Sequence, residues 1–335
     1  MKYILIDTSN LFFRARHSVT KGADIDTQLG YCLHLMFTIT GKVQRLFKGD
    51  HMVFCLEGNS WRKEFYPPYK RNRVLSRSKS TVAEKEEEEL FLEVYAEFIE
   101  YITEKTNCTV LINKDAEGDD MIARWINFHP KDEHVIISND SDFIQLISKN
   151  VTQYNGVQEQ LISLDGYHDD KGKPVINKKT SLLMEAPEPR WLLFEKCIRG
   201  DKSDNVFSAY PGVRKKGTKK SIGLLEAFDD IDKQGYAWNN LMLQRWIDHE
   251  EKEHIVRDDY NRNKKLIDLD AQPQDIKDSI DMSIIEIVRN PHKPKMIGTR
   301  FLQFCGKHEL KRLSSSADWV IPWLSSEYKG ELLYD

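Results

Sequence analysis

Residues 115–120 read DAEGDD, four carboxylates in six positions that repel one another unless a cation or solvent intervenes. Glu117 and Asp120 are three apart at what reads as a helix start, so both lean to one side of its first turn, with Asp119 beside them. SNDSDFIQL sets Asp140 and Asp142 two apart at a strand end, where alternate residues share a face, and GDKSDN sets Asp201 and Asp204 three apart. Asp7 closes KYILID, and Glu57 follows MVFC. Carboxylates gathered in this way, with no histidine or cysteine in the spacing, select hard cations such as Mg²⁺ or Mn²⁺ over zinc. Two such ions about 4 Å apart could orient a water against a phosphodiester and stabilise its leaving oxygen. An acid at a helix start can instead be a cap that favours the positive end of the helix dipole. Capping suits any one pair, Asp201 and Asp204 included, but it calls for one acid per helix and not for pairs at strand ends. Asp115 is left outside the set.

The elements that must position these acids follow from hydrophobic periodicity. YILI (Tyr3 to Ile6), MVFC (Met52 to Cys55), TVLI (Thr109 to Ile112) and HVIIS (His134 to Ser138) read as buried parallel strands. Helical spacing fills Gln28 to Phe47 and Gly118 to Phe128. Strands alternating with helices imply crossover units and a doubly wound α/β sheet. Each of the four runs is followed by acid, and in open α/β sheets the carboxyl ends of the strands face one crevice, so the acids should converge. From about residue 178 the pattern turns helical, with EPRWLLFEKCIRG and the charged stretch Leu241 to Leu266, and a second, mainly helical region is expected from about residue 185. The glutamates of KEEEEL (Lys85 to Leu90) read as the solvated face of a helix.

The basic residues are clustered too. WRKEFYPPYKRNRVLSRSKS (Trp61 to Ser80) carries Arg62, Lys63, Lys70, Arg71, Arg73, Arg77 and Lys79 against Glu64, with aromatics interleaved. Cations meet phosphate oxygens and rings stack on unpaired bases, so the mixture suits a nucleic acid end or single strand; by itself it could also be a solvated loop. A second cluster, PGVRKKGTKKS (Pro211 to Ser221), predicts a helix start near Thr218, where backbone N–H groups with Lys219 and Lys220 would anchor phosphate without regard to sequence. The formal net charge of −4 argues weakly against a nucleic acid partner, because the two signs are segregated along the chain. Five scattered cysteines without a C-x-x-C pair imply reduced, buried thiols. KYILID reaches a carboxylate too early for a signal peptide, and no apolar stretch approaches a membrane span, so a soluble, cytoplasmic protein without membrane contact is expected.

Taken in order, LIDTSNLFFR, WRKEFYPPYKRNR, EGDDMIA, SNDSDFIQL and GDKSDNV resemble the motifs of the 5′-nuclease family, which includes flap endonucleases and the 5′ to 3′ exonuclease domain of bacterial DNA polymerases, with the phage-type ribonuclease H branch most similar; YNRNKKLIDLD resembles that branch as well. The resemblance covers about residues 2–230. It implies a PIN-like domain, two divalent metals, and 5′-end or flap-directed cleavage of DNA and RNA/DNA duplexes, with removal of RNA primers in replication; in a phage it would act in the host cytoplasm. By motif, Asp7, Glu57, Glu117, Asp119, Asp120, Asp140 and Asp142 would hold the metals and their waters, with Asp201 and Asp204 completing the second site. Lys70 and Arg73 would meet the scissile phosphate, Tyr69 would neighbour a stacked base, Arg14 would touch phosphate, and residues 74–95 would form a helical arch or clamp. The resemblance thus implies a metal-binding domain over residues 1–185, a mainly helical duplex-binding domain with a helix-three-turn-helix-like element over 186–305, and a tail over 306–335, acting as a monomer.

Two departures stand out. Glu57 replaces the family's usual aspartate, which lengthens that side chain by one methylene. VFSAYPGVRKKGTKKS departs from the Gly-rich helix-three-turn-helix pattern, which weighs against a K⁺ ion at that turn. The apolar tail DWVIPWLSSEYKGELLYD packs back on its own domain or docks on a single-strand-binding protein or sliding clamp. Two other functions are compatible with parts of the pattern. A D-x-D pair also occurs in small-molecule phosphohydrolases, though here no D-x-D-x-[TV] follows the first strand. A flap-binding module without chemistry would keep the basic stretches and not need the full set of acids.

Overall fold

The computed structural model describes residues 1–19, 22–219 and 221–332. In chain order the elements are β1 (Lys2–Asp7), α1 (Thr8–His17), α2 (Ile25–Phe47), β2 (His51–Cys55), α3 (Trp61–Phe65), α4 (Arg71–Ser78), α5 (Val82–Lys105), β3 (Thr109–Leu111), α6 (Gly118–Phe128) and β4 (Glu133–Ile137). A 3₁₀ turn (Ser141–Leu146) leads to β5 (Val151–Asn155), β6 (Gln160–Ser163), β7 (Gly166–Asp169), α7 (Pro189–Arg199), α8 (Leu224–Asp229), α9 (Tyr236–Met242), β8 (Arg245–Ile247) and β9 (Glu253–Ile255). The chain then continues through α10 (Val256–Ile267), α11 (Gln274–Arg289), α12 (Ile297–Lys307), α13 (Lys311–Ser314) and α14 (Ala317–Leu324).

The chain divides into two compact units. The first takes residues 1–59, 80–186 and everything from Gln274 onward; the second takes Ser60–Lys79 and Pro187–Pro273. These units cut across the expected boundaries. The stretch expected to form an arch, 74–95, is the end of α4 in the second unit and the first half of α5 in the first. The tail returns to the first unit instead of standing apart.

The first unit is built on a seven-stranded sheet of order β3-β2-β1-β4-β5-β6-β7. The first five strands in that order pair in parallel, and β6 and β7 are added antiparallel at one edge. This is the doubly wound arrangement that the alternating strands and helices predict, with its switch point between β1 and β4. Tyr3 to Ile6 are 0–1% exposed because both edges of β1 are hydrogen-bonded and both faces covered. A single core joins α2 (Leu33, Met36, Phe37), α5 (Phe91, Phe98, Ile102), α12 (Phe301) and α14 (Val320, Trp323, Leu324). Trp323 is fully buried, and a core tryptophan truncated to alanine costs about 3–5 kcal/mol, so the tail is part of this core and its apolar face is turned inward. The helix expected from Gln28 begins one turn earlier, because Asp24 accepts the Thr27 N–H at 2.9 Å and caps it. KEEEEL lies on α5, mostly exposed, as its composition predicts.

The second unit packs α7, α8, α9 and α10 around Phe194, Cys197, Ile198, Leu224, Leu241, Val256, Tyr260 and Leu266. The stretch Leu241 to Leu266 is not one helix: a two-stranded antiparallel hairpin, β8–β9, interrupts it. Asp248 makes that turn by accepting the N–H groups of Glu250 and Lys252 at 2.8 and 3.0 Å. All five cysteines are buried free thiols. Among the described residues, no helix is long and apolar enough to cross a membrane.

Candidate functional site

Parallel pairing brings the carboxyl ends of β1, β2 and β4 to the same edge of the sheet. Asp7 is level with Cys55 on one side, and Ile6 with Ile137 on the other, so Ser138 follows beside Asp7 at the switch point. The Ser138 hydroxyl, 1% exposed, donates to Asp7 Oδ2 at 2.7 Å and accepts the Asp140 N–H at 3.1 Å. Asp7 Oδ1 accepts the Asn10 N–H at 3.0 Å and so caps α1 as well. Asp140 Oδ1 in turn accepts the Asp142 N–H at 2.9 Å, at the start of the 3₁₀ turn. Burial and the Asp7 charge together push the Cys55 thiol well above its ordinary range.

The loops after β2 and β3 are pressed together beside this edge. The N–H groups of Leu56, Gly58 and Asn59 donate to the carbonyls of Leu111, Ala116 and Lys114 at 2.9, 3.0 and 2.8 Å. A Cβ on Gly58 would lie 1.9 Å from the Asn113 carbonyl oxygen, so only glycine permits the approach. The approach sets Glu57 over the start of α6, where Glu57 Oε2 accepts the Gly118 N–H at 3.3 Å. On α6, Asp120 accepts the Glu117 N–H at 3.1 Å, and Asp119 accepts the Asp120 N–H at 3.0 Å. Glu117 and Asp120 are 3% and 0% exposed, burial that is costly for carboxylates without compensation.

Asp7, Glu57, Asp140 and Asp142 thus follow their strands at the carboxyl edge, and Glu117, Asp119 and Asp120 stand at the start of α6, which the loop after β2 meets through Glu57. Asp7, Asp120 and Asp140 also accept backbone N–H groups, as the capping reading expects. Among the described residues, no three acidic, histidine or cysteine side chains form a ready coordination cage. The donor set is nevertheless all oxygen, partly buried and dominated by carboxylates, which fits a hard divalent cation and not zinc. Sequence reasoning missed Ser138, which binds two of these acids. It also missed Tyr95, whose hydroxyl is pushed up by burial, lowered by a hydrogen bond with Ser9, and raised by the charges of Glu57 and Asp7.

Asp201 and Asp204 lie in the second unit, and each is met by cations there. Asp201 accepts from Ser203 N and Oγ at 2.8 and 2.6 Å and pairs with Lys196 Nζ at 2.7 Å. Burial pushes its carboxyl up, but the bonds from Lys196 and Ser203 outweigh that and hold it below the ordinary range. Asp204 accepts from Arg73 Nη2 at 2.6 Å and from the Tyr69 hydroxyl at 3.0 Å, with Lys70 Nζ 3.7 Å away. Lys70 adopts a left-handed backbone (φ 53°) at the start of α4, and its N–H donates to the Asp204 carbonyl at 2.8 Å. Acids and bases read separately in the sequence are therefore partners. Tyr69 is not an open stacking face: it is 4% exposed, with its ring in the core of the second unit and its hydroxyl on Asp204. Arg62 is buried as well, donating Nε to the Leu266 carbonyl at 2.8 Å. By contrast α4 has no buried residue, and Arg71, Arg73 and Arg77 are exposed.

The second basic cluster and Arg14 are placed as follows. No helix starts at Thr218; α8 begins at Leu224, and Glu226 accepts the N–H groups of Gly217 and Gly223 at 3.0 and 2.9 Å, which a phosphate would otherwise need. Lys219 is exposed, and Lys220 lies outside the described residues. Arg14 is half-buried against Gly156, on the β5–β7 side of the sheet, and burial lowers its guanidinium while the charges of Tyr154, Glu159 and Asp170 raise it.

Comparison with known proteins agrees with this architecture. The chain is 24% identical over 294 residues to a 5′-3′ exonuclease of Mycoplasmopsis pulmonis, a match spanning 85% of this chain and 89% of that protein. It is 25% identical over 241 residues to DNA polymerase I of Rhizobium leguminosarum, covering 68% of this chain but only 21% of the polymerase. A bacteriophage T5 D15 flap endonuclease, solved as a pseudo-enzyme-product complex with DNA and metal ions, superposes with a TM-score of 0.58 at 20% identity, over 86% of this chain and 99% of that one; the likeness is one of fold. Residues 2–172, just over half of the sequence, match the 5′-3′ exonuclease N-terminal resolvase-like domain, and the chain belongs to that family.

Proposed function

We propose that the chain is a divalent-metal-dependent, structure-specific 5′-nuclease: a 5′ to 3′ exonuclease and flap endonuclease that also removes RNA from RNA/DNA duplexes. The observation that carries this reading is that the strand ends after which Asp7, Glu57 and Asp140 come lie at one edge of the sheet, with the acid-rich start of α6 against the loop after β2, in a member of an exonuclease family. Asp7, Glu57, Glu117, Asp119, Asp120, Asp140 and Asp142 would hold two ions, Mg²⁺ or Mn²⁺. Bound there, the ions supply Lewis acidity and neutralise charge on the phosphodiester. The chain's own part is to fix the carboxylates through the backbone N–H groups of Asn10, Gly118 and Asp142 and the Ser138 hydroxyl, so that little reorganisation accompanies reaction. Lys70 and Arg73, held by Asp204, are suited to phosphate oxygens, and the exposed arginines of α4 add a grip that does not depend on sequence.

Flapped DNA and RNA/DNA duplexes with 5′ ends are the proposed substrates, cut in the cytoplasm by a monomer during replication. Docking on a single-strand-binding protein or clamp would have to use something other than Val320, Trp323 and Leu324, which are inside the core. The test is incubation of 5′- and 3′-labelled flap, nicked and RNA/DNA hybrid substrates with Mg²⁺, with product sizes read on gels. Products released from the 5′ side, and lost with EDTA, are expected. Release from labelled 3′ ends only, or cleavage that persists in EDTA, would overturn the proposal.

A further inference from the structure

Gln153 lies in the middle of β5, 1% exposed, in parallel register with Ile136 of β4. A buried amide in a sheet interior is destabilising unless its donors find acceptors. Its Nε2 donates to the Ser138 carbonyl at 3.0 Å and to the Asp140 carbonyl at 2.6 Å, so both amide hydrogens go to the one turn that carries Asp140 out of β4. The Oε1 atom is buried with no hydrogen-bond partner among the described residues. Flipping the amide would set that oxygen against two carbonyl oxygens, so the orientation follows from the turn and leaves one acceptor unsatisfied. The turn is also held from its other face. Ser138 Oγ spans Asp7 Oδ2 and the Asp140 N–H, and Asn139 Nδ2 donates to Asn10 Oδ1 at 3.0 Å.

From these bonds we infer that Gln153 and Ser138 are positioning residues that fix the Asp7 and Asp140 carboxylates relative to each other across the switch point. Asp140 is clamped at its carbonyl by Gln153 and at its N–H by Ser138, and the same Ser138 hydroxyl orients one oxygen of Asp7, leaving the other on α1. Neither residue supplies a ligand; each determines where a ligand points, which sets how tightly the carboxylates take an ion. The inference rests on the proposed metal-dependent function.

Mn²⁺ binding to the full chain without nucleic acid, followed by electron paramagnetic resonance, tests it in wild type, Ser138→Ala, Ser138→Thr and Gln153→Met. Ser138→Ala and Gln153→Met should weaken Mn²⁺ binding about 10- to 100-fold. Ser138→Thr, which keeps the hydroxyl, should bind as wild type does. Ser138→Ala deletes a single oxygen and carries the test alone if Gln153→Met does not fold. Wild-type binding with unchanged affinity in Ser138→Ala would overturn the positioning role and leave the proposed function standing. A wild-type chain that takes up no Mn²⁺ would overturn both.

Discussion

Asp204→Asn separates a structural anchor from a decorative ion pair. Asp204 Oδ2 accepts the Tyr69 hydroxyl at 3.0 Å and lies 3.7 Å from Lys70 Nζ, while Oδ1 accepts from Arg73 at 2.6 Å. Asparagine keeps the shape, removes the charge, and turns one acceptor into a donor that faces other donors. Arg73 is 55% exposed, so its share is no more than about 1 kcal/mol after solvent screening. The bond from Tyr69 to a carboxylate that is 15% exposed is worth about 1.5–3 kcal/mol. A local loss of about 2–3 kcal/mol follows, confined to the second unit. Because the chain has two units, one global unfolding free energy would blur the effect, whereas amide exchange resolves it. The Lys70 N–H donates to the Asp204 carbonyl and the Arg73 N–H to the Lys70 carbonyl, at 2.8 and 3.1 Å. At a loss of 2 kcal/mol both amides should exchange about 30-fold faster, while those of β1 keep their rates. The released cations should also steepen the salt dependence of oligonucleotide binding. Exchange at Lys70 and Arg73 that changes by less than about fivefold, under about 1 kcal/mol, would refute the reasoning.

Asp7→Asn and Asp140→Asn should each lower Mn²⁺-supported cleavage by at least about 100-fold, more than an outer-shell partner is worth, with an unchanged far-UV circular dichroism spectrum; a variant that keeps wild-type turnover would remove that residue from the site. Gly58→Ala forces a methyl onto the Asn113 and Ala116 carbonyls and should cost about 1–3 kcal/mol of overpacking and weaken Mn²⁺ binding by shifting Glu57; equal urea midpoints for variant and wild type would contradict this. Burial pushes His51 and His134 down to about 4 and lowers His129. Between about pH 6.5 and 4 the unfolded chain binds more protons than the folded one, so their contribution is fully present above about 6.5 and is lost as the pH falls, by on the order of 1 kcal/mol per pH unit for each of His51 and His134. Urea midpoints at pH 7.5 and 5 measure it; His134→Gln should flatten the difference, and a wild-type midpoint that does not move would count against it.

The parts of this protein legible in its sequence are those fixed by local pattern. Four buried strands announce themselves as short apolar runs because both faces of a parallel sheet are covered, and the acids that follow them come at the sheet's carboxyl edge. What escaped is what depends on a distant partner. VTQYN does not read as a buried strand, since Gln153 is tolerated there only by two carbonyls from the neighbouring turn. The hairpin inside Leu241 to Leu266 is masked by charged residues that suit a helix surface equally well, and the Asp248 turn was its one local signal. Tyr69 reads as a stacking ring because nothing in YPPYKRNR reveals that residues 60–79 contribute to the core of the second unit. The Gly217 and Gly223 amides resemble a phosphate cradle until Glu226, on the helix after them, is seen to occupy both. Ser138 could have been suspected, as a hydroxyl directly before the acids of SNDSD at a strand end.

The central claim, that the carboxyl edge of β1, β2 and β4 with the start of α6 holds divalent cations, is met most directly by anomalous diffraction from crystals soaked in Mn²⁺. Peaks are expected within about 2.0–2.3 Å of carboxylate oxygens among Asp7, Glu57, Glu117, Asp119, Asp120, Asp140 and Asp142, the range of hard-cation coordination. Peaks confined to other surfaces, in crystals of a protein that cleaves its substrate with Mn²⁺, would contradict it.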